Sequence, residues 1–271
     1  MDDTGETRSA GVSPAPFSDG ISSSEPRVMV CTDEEVVARA AAELFVQLSG
    51  RYIADEGAFR VALSGGNTPR PLYRLLGSDE FRSQVDWRAV QLFWGDERGV
   101  PPDHPESNYG VVHRELLPRV SIPRENIHRM EAERPDVEQA AREYEQVLRR
   151  ELPLNALGVP QFDLVLLGLG ADGHTASLLP TSKDWRDARD LVAAPHEQIS
   201  GVRRMTLALP VLNAARHVIF LVTGEAKADI LRRVVKERDP SLPARQVRPT
   251  QGELLFIVDR AAAARLEGSA G

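Results

Sequence analysis

Phe59-Arg60-Val61-Ala62-Leu63-Ser64-Gly65-Gly66-Asn67-Thr68-Pro69 passes from an apolar run through a glycine turn and opens onto Pro71-Leu72-Tyr73-Arg74-Leu75-Leu76. The order reads as strand, tight turn, helix start, the unit from which parallel sheets are built. Gly65 and Gly66 let the backbone approach a ligand closely, Thr68 is placed to cap the helix, and Pro69 suits its first turn. Unpaired N–H groups and the positive end of the helix dipole then converge on one point, where a phosphate or carboxylate can bind. An ordinary strand-to-helix turn has the same local pattern, so the reading depends on the rest of the chain.

Upstream, Arg27 to Cys31 reads as a short strand, and Thr32 as the cap of a helix with Asp33, Glu34 and Glu35 in its first turn. An apolar stripe through Val37, Ala41, Leu44, Phe45 and Leu48 follows. Downstream, Ala89 to Trp94 reads as a strand, Asn108 to Leu117 as a helix stopped by Pro118, and Val137 to Leu152 as an amphipathic helix. Phe162 to Leu167 is a continuous apolar strand of the kind buried on both faces. Met205 to Leu209 and His217 to Val222 read as strands, Glu225 to Lys236 as a helix, Leu254 to Val258 as a last strand, and Ala261 to Leu266 as a last helix. Strands alternating with helices predict right-handed βαβ units: a Rossmann-like α/β fold with a mostly parallel sheet and helices on both faces. Its ligands are expected outside the carboxyl ends of the strands.

Residues 1–26, rich in Ser, Gly, Pro and acidic groups, are expected to be a disordered tail, and 27–271 a single α/β domain. With 271 residues, 42% of them hydrophobic, the chain can bury a sizeable core. A net charge of −7 argues against nucleic-acid binding by bulk positive charge, so an anionic small molecule needs a local basic pocket. Cys31 is the sole cysteine, which excludes an internal disulfide and a cysteine zinc site. No apolar run nears the roughly 20 residues that span a bilayer, and no signal-peptide pattern opens the chain. A cytoplasmic protein with neither membrane nor nucleic-acid partner is expected.

Three further clusters carry chemistry. Gly168-Leu169-Gly170-Ala171-Asp172-Gly173-His174-Thr175-Ala176-Ser177 follows a strand and contains G-x-G-x-x-G, but Pro180 leaves no room for the full crossover helix of a dinucleotide site. His174 stands out there: a helix start beside it would disfavour the imidazolium and keep the ring neutral, as a general base requires. Asp172 is placed to fix its tautomer, or is a plain turn aspartate. His104, His113, His128, His196 and His217 read as surface or satisfied core histidines. Trp94-Gly95-Asp96-Glu97-Arg98 ends another strand, and Arg98 can clamp a phosphate or an oxyanion. Arg203, Arg204 and Lys227 are further basic candidates, each by itself as well read as a surface charge. Ser64 lacks the nucleophile-elbow glycine, the first turn lacks a Walker lysine, and no H-x-x-x-H zinc pair exists.

Taken together, Ser64 to Pro69, Trp94 to Arg98, Ser107-Asn108-Tyr109, Gly168 to Ser177 and Gly224 to Lys227 resemble the 6-phosphogluconolactonase family, in order over about residues 28–266. The resemblance implies a Rossmann-like fold shared with glucosamine-6-phosphate deaminases and hydrolysis of 6-phospho-D-glucono-1,5-lactone to 6-phospho-D-gluconate without metal or cofactor. It further implies that the turn Ser64, Gly65, Gly66, Asn67 and Thr68, with Arg98, meets the phosphosugar and that His174 activates water beside Asp172. Asp96 and one of Arg203, Arg204 and Lys227 are expected to join them at the substrate. A monomer or weak homodimer is expected. The deaminases, which the chain also resembles, carry a Glu where this chain has Leu179, a residue unable to transfer protons. A phosphosugar-sensing domain is a third reading, although such proteins usually carry a DNA-binding module for which the N-terminal tail is too short and polar.

Overall fold

The computed structural model describes residues 26–182, 185, 190–195 and 201–266. The expected N-terminal tail and His196 lie outside them, apart from Pro26. The strands are β1 Arg27–Cys31, β2 Phe59–Leu63, β3 Val90–Trp94, β4 Asp96–Arg98, β5 Leu164–Gly168, β6 Val192–Ala193, β7 Arg204–Leu207, β8 His217–Val222 and β9 Glu253–Asp259. The α-helices are α1 Glu34–Glu56, α2 Arg70–Leu76, α3 Asn108–Glu115, α4 Val137–Glu151, α5 Leu209–Ala214, α6 Ala228–Arg232, α7 Pro243–Gln246 and α8 Arg260–Ala263.

Six strands form one parallel sheet in the order β1-β9-β8-β5-β2-β3. From β1 through β2 to β3 the chain moves one way along this sheet, and from β3 through β5 and β8 to β9 it moves back. Right-handed crossovers as a rule send the connections of such halves to opposite faces, although α3, in the return half, packs against α2 of the outward half. Connections leave β2 and β5, which are neighbours, in opposite directions. Between them lies the switch point at which doubly wound sheets bind ligands. β5 and β8, central in the sheet, are almost wholly buried runs, as strands covered on both faces must be.

A second, antiparallel sheet, β4-β7-β6, was not legible in the sequence. In it the predicted strand Met205 to Leu209 runs instead from Arg204 to Leu207, and Leu209 opens α5. The predicted Glu225–Lys236 helix is a 3-10 turn at Glu225–Lys227, α6, and a π-helical turn at Arg233–Glu237. α3 ends at Glu115, with Pro118 inside a separate 3-10 turn at Leu117–Arg119.

Two caps differ from expectation. Asp33, not Thr32, caps α1: its carboxylate accepts the Val36 N–H at 3.0 Å, while the Thr32 hydroxyl donates to Asp33 itself. α2 begins after Pro69, which occupies the cap position with no side-chain hydrogen bond, so Thr68 does not cap it. Thr68 Oγ1 lies 3.4 Å from Thr223 Oγ1 instead, across to the loop after β8.

At the amino end of the sheet, Asp163 is fully buried, accepts the Arg60 N–H at 2.8 Å, and lies 3.5 and 3.6 Å from the Arg60 and Arg216 guanidinium groups. Arg216 also pairs with Glu56. Burial outweighs these contacts and pushes the Asp163 carboxyl up to about 6. Beside it, buried His217 meets the Tyr52 hydroxyl at 2.9 Å and Glu253 at 3.6 Å, and burial with two nearby arginines lowers it to about 4.

Candidate active site

A cleft of about 500 Å³ opens at the switch point, walled by the segments that follow β2, β3, β5 and β8. Gly66 has φ of +87°, a left-handed conformation that glycine adopts without strain. Tyr73 of α2 is fully buried and its hydroxyl donates to the Ser64 carbonyl at 2.5 Å, which pins the turn to the helix. Ser64 itself is buried.

After β5 the chain turns through Gly170 and Gly173. The carboxylate oxygen of Asp172 stands 2.6 Å from His174 Nδ1 and also accepts the His174 backbone N–H at 3.1 Å. An Nδ1–H donated to Asp172 leaves Nε2 with its lone pair. Burial would raise the Asp172 carboxyl, but these bonds and the charge of His174 hold it below the usual range. A Cβ on Gly170 would lie 2.1 Å from His174 Nδ1, so the ring occupies space that only glycine leaves open. Contrary to the sequence expectation, no helix starts here. Residues 175–178 form a turn, Thr175 Oγ1 donates to the Gly168 carbonyl, and the helix dipole plays no part at His174.

The opposite wall comes from β4 and the first turn of α3. Buried Glu97 accepts four hydrogen bonds, from the N–H groups of Arg98 (2.7 Å), Asn108 (2.8 Å) and Tyr109 (2.8 Å) and from the Ser107 hydroxyl (3.1 Å). Burial raises its carboxyl in spite of them. Asp96 accepts from Asn108 Nδ2 at 3.0 Å through one oxygen and from Ser177 Oγ at 2.6 Å through the other, tying the loops after β3 and β5 together. Arg204, paired with Arg98 in the β4–β7 register, reaches within 3.8 Å of Asp96; burial lowers its pKa while Asp96 opposes the shift.

Of the residues singled out in the sequence, Ser64 to Thr68, Asp96, Arg98, His174, Arg204 and Lys227 line the cleft, and Asp172 stands against His174. Arg203 does not join them: its guanidinium donates to the Pro135 carbonyl at 2.9 Å. Lys227 lies on the Asp172 side; burial lowers its ammonium and Asp172 partly restores it. Asn108 and Ser177, visible in the sequence only as letters of motifs, were not singled out there: Asn108 lines the cleft, and Ser177 holds the Asp96 carboxylate. Among the described residues no cluster of His, Cys, Asp and Glu could hold a metal ion, and no helix is long and apolar enough to cross a membrane. A second hollow of about 390 Å³ lies beside α4, but Arg129 and Arg134 there are already matched by Glu131, Glu133 and Glu143.

Fold and cleft together define a doubly wound α/β protein with a basic, glycine-walled cleft at its switch point. The family model described as glucosamine-6-phosphate isomerases/6-phosphogluconolactonase matches residues 32–256, and the chain belongs to that family. It is 39% identical to the 6-phosphogluconolactonase of a Synechocystis strain over 243 residues, 89% of this chain and 98% of that protein. With the 6-phosphogluconolactonase of Haemophilus influenzae it shares 37% identity over 205 residues, 74% of this chain and 85% of the relative. The solved 6-phosphogluconolactonase of Trypanosoma brucei superposes with a TM-score of 0.79 at 29% identity, covering 90% of this chain and all of the other (100%). A monomeric glucosamine-6-phosphate deaminase superposes with a TM-score of 0.73 at 21% identity over 88% of this chain and 99% of the other, a likeness of fold.

Proposed function

We propose that this protein hydrolyses 6-phospho-D-glucono-1,5-lactone to 6-phospho-D-gluconate, the reaction named by its relatives and the step it would fill in the oxidative pentose phosphate pathway. The observation that carries the reading is the Asp172–His174 pair at the end of β5, facing the same cleft as the Ser64–Thr68 turn.

Amides of that turn, with Arg98 and Arg204, hold the 6-phosphate. Lys227, on the side of Asp172, is then the cation left to stabilise the oxyanion. His174 Nε2 takes a proton from water as the water oxygen attacks the C1 carbonyl. Collapse of the tetrahedral intermediate breaks the bond from C1 to the ring oxygen, and the imidazolium returns its proton to that oxygen. The acid formed then ionises. A lactone is an activated ester, so general base catalysis of about 10²–10⁴-fold plus positioning suffices over spontaneous hydrolysis without a metal.

The test mixes purified protein with freshly made lactone and follows acid release against the spontaneous rate. Acceleration proportional to enzyme supports the reading; its absence removes it.

A further inference from the structure

Asn108 is 1% exposed, yet it lines the cleft, and both polar side-chain atoms and its backbone N–H are engaged. Its Oδ1 accepts from Arg98 Nη1 at 2.6 Å. Its Nδ2 donates to the Asp96 carbonyl at 2.8 Å and to the Asp96 carboxylate at 3.0 Å. Its backbone N–H is held by Glu97. The amide orientation is dictated by its neighbours: a guanidinium only donates, and a carbonyl or carboxylate only accepts. A Cβ on Gly65 would stand 1.7 Å from Asn108 Oδ1, so the glycine turn and the Asn108 amide occupy adjoining space.

We propose that Asn108 is a positioning residue that holds the Arg98 guanidinium beside the Gly65 turn, so that Arg98 and the turn amides receive one anion together. The inference rests on the proposed phosphosugar reading. Arg98 Nη1 is fixed by two acceptors, Asn108 Oδ1 and the Glu106 carbonyl, both at 2.6 Å. Held in this way, a long side chain loses less rotamer freedom when the anion arrives. An aspartate at 108 would fit sterically and pair with Arg98, but it would set a second carboxylate against Asp96 and add negative charge to an anion site.

The experiment measures inorganic phosphate binding to the full chain by calorimetry, with lactone turnover in parallel. Asn108→Ala should weaken phosphate binding and raise KM about tenfold, the size expected when a hydrogen bond to a charged group is lost. Its kcat should stay within about threefold, because His174 is untouched. Asn108→Asp should bind phosphate more weakly still. In an Arg98→Ala background, Asn108→Ala should change phosphate affinity by less than about twofold, since nothing remains to be positioned. Full, independent losses in that cycle, or normal binding by Asn108→Ala, would overturn the assignment. If Asn108→Ala fails to melt cooperatively, Asn108→Ser replaces it in the same cycle. Loss of fold in both would show that the residue serves the fold rather than Arg98, and would overturn it too. The phosphate cycle reads Asn108 without lactone chemistry, so a protein without lactonase activity could still confirm it.

Discussion

Asp172 grips His174 twice, through the ring nitrogen at 2.6 Å and through the backbone N–H at 3.1 Å, from a single carboxylate oxygen. The same atom thus sets both the turn and the tautomer. His174→Ala should lower kcat by about 10²-fold or more with little change in substrate affinity. Asp172→Asn should lower kcat as well, since a rotated amide would offer N–H groups to the imidazole. Near-normal turnover in the alanine variant would remove His174 from the mechanism.

Gly170→Ala tests the same pair sterically. Its new Cβ would fall 2.1 Å from His174 Nδ1, so the ring must move while the backbone, which is not left-handed at this position, can stay. Turnover should drop about tenfold or more with the phosphate affinity kept, in line with the sensitivity of catalysis to small misplacements. Unchanged kcat would mean that the ring's position does not matter.

Inorganic phosphate or sulfate should compete with substrate, and crystals grown with either should show tetrahedral density at the Gly65–Thr68 amides. The motive is the glycine turn that lines the cleft together with Arg98 and Arg204. Noncompetitive behaviour, or an ion found only elsewhere, would refute this site.

Glucosamine 6-phosphate should give no ammonia above background, because the resemblance to the deaminases implies a proton-transferring Glu at the position held here by Leu179. Its binding can persist, since the phosphate turn does not distinguish the two sugars. Ammonia released at about 1 per second or faster, an ordinary enzymatic rate, would contradict the assignment.

Asp163 and His217 make opposing contributions to pH stability. The Asp163 pKa rises on folding from 3.8 to about 6, so the native state takes up its proton first and gains stability as pH falls through this range. His217 drops from 6.5 to about 4, so its contribution is present above 6.5 and lost as pH falls toward 4. Each is worth about 3 kcal/mol at full extent, and between pH 6.5 and 4.5 they largely cancel. Asp163→Asn should therefore lose stability relative to the parent as pH falls from 6.5 to 4.5, read from urea midpoints. A difference that does not vary with pH would show that Asp163 titrates normally.

The parallel sheet was legible because its strands are apolar runs separated by helices of clear period, and the two glycine clusters marked both sides of its switch point. β4 was not, since Asp96-Glu97-Arg98 is charged and three residues long, and only its pairing with β7 makes it a strand. Arg203 and Arg204 could not be separated in the sequence. Pairing opposite Arg98 settles it, because neighbours along an extended chain point to opposite sides. Thr32 and Asp33 posed the same difficulty at a cap, where reach to the Val36 N–H decides. Asn108 was visible as a letter in a motif, but its role depends on Asp96, Arg98 and Gly65 meeting in space, which no spacing encodes.

The Tyr73 hydroxyl on the Ser64 carbonyl has a thermodynamic consequence. The tyrosine is fully buried, so this bond is shielded from water and cannot be traded cheaply for solvent. The glycine turn, which by composition should be the loosest stretch around the cleft, is anchored before any ligand arrives. Its ordering was completed when the core closed, so an anion as small as inorganic phosphate, if bound there as proposed, would meet amides already aimed, at little further entropic cost.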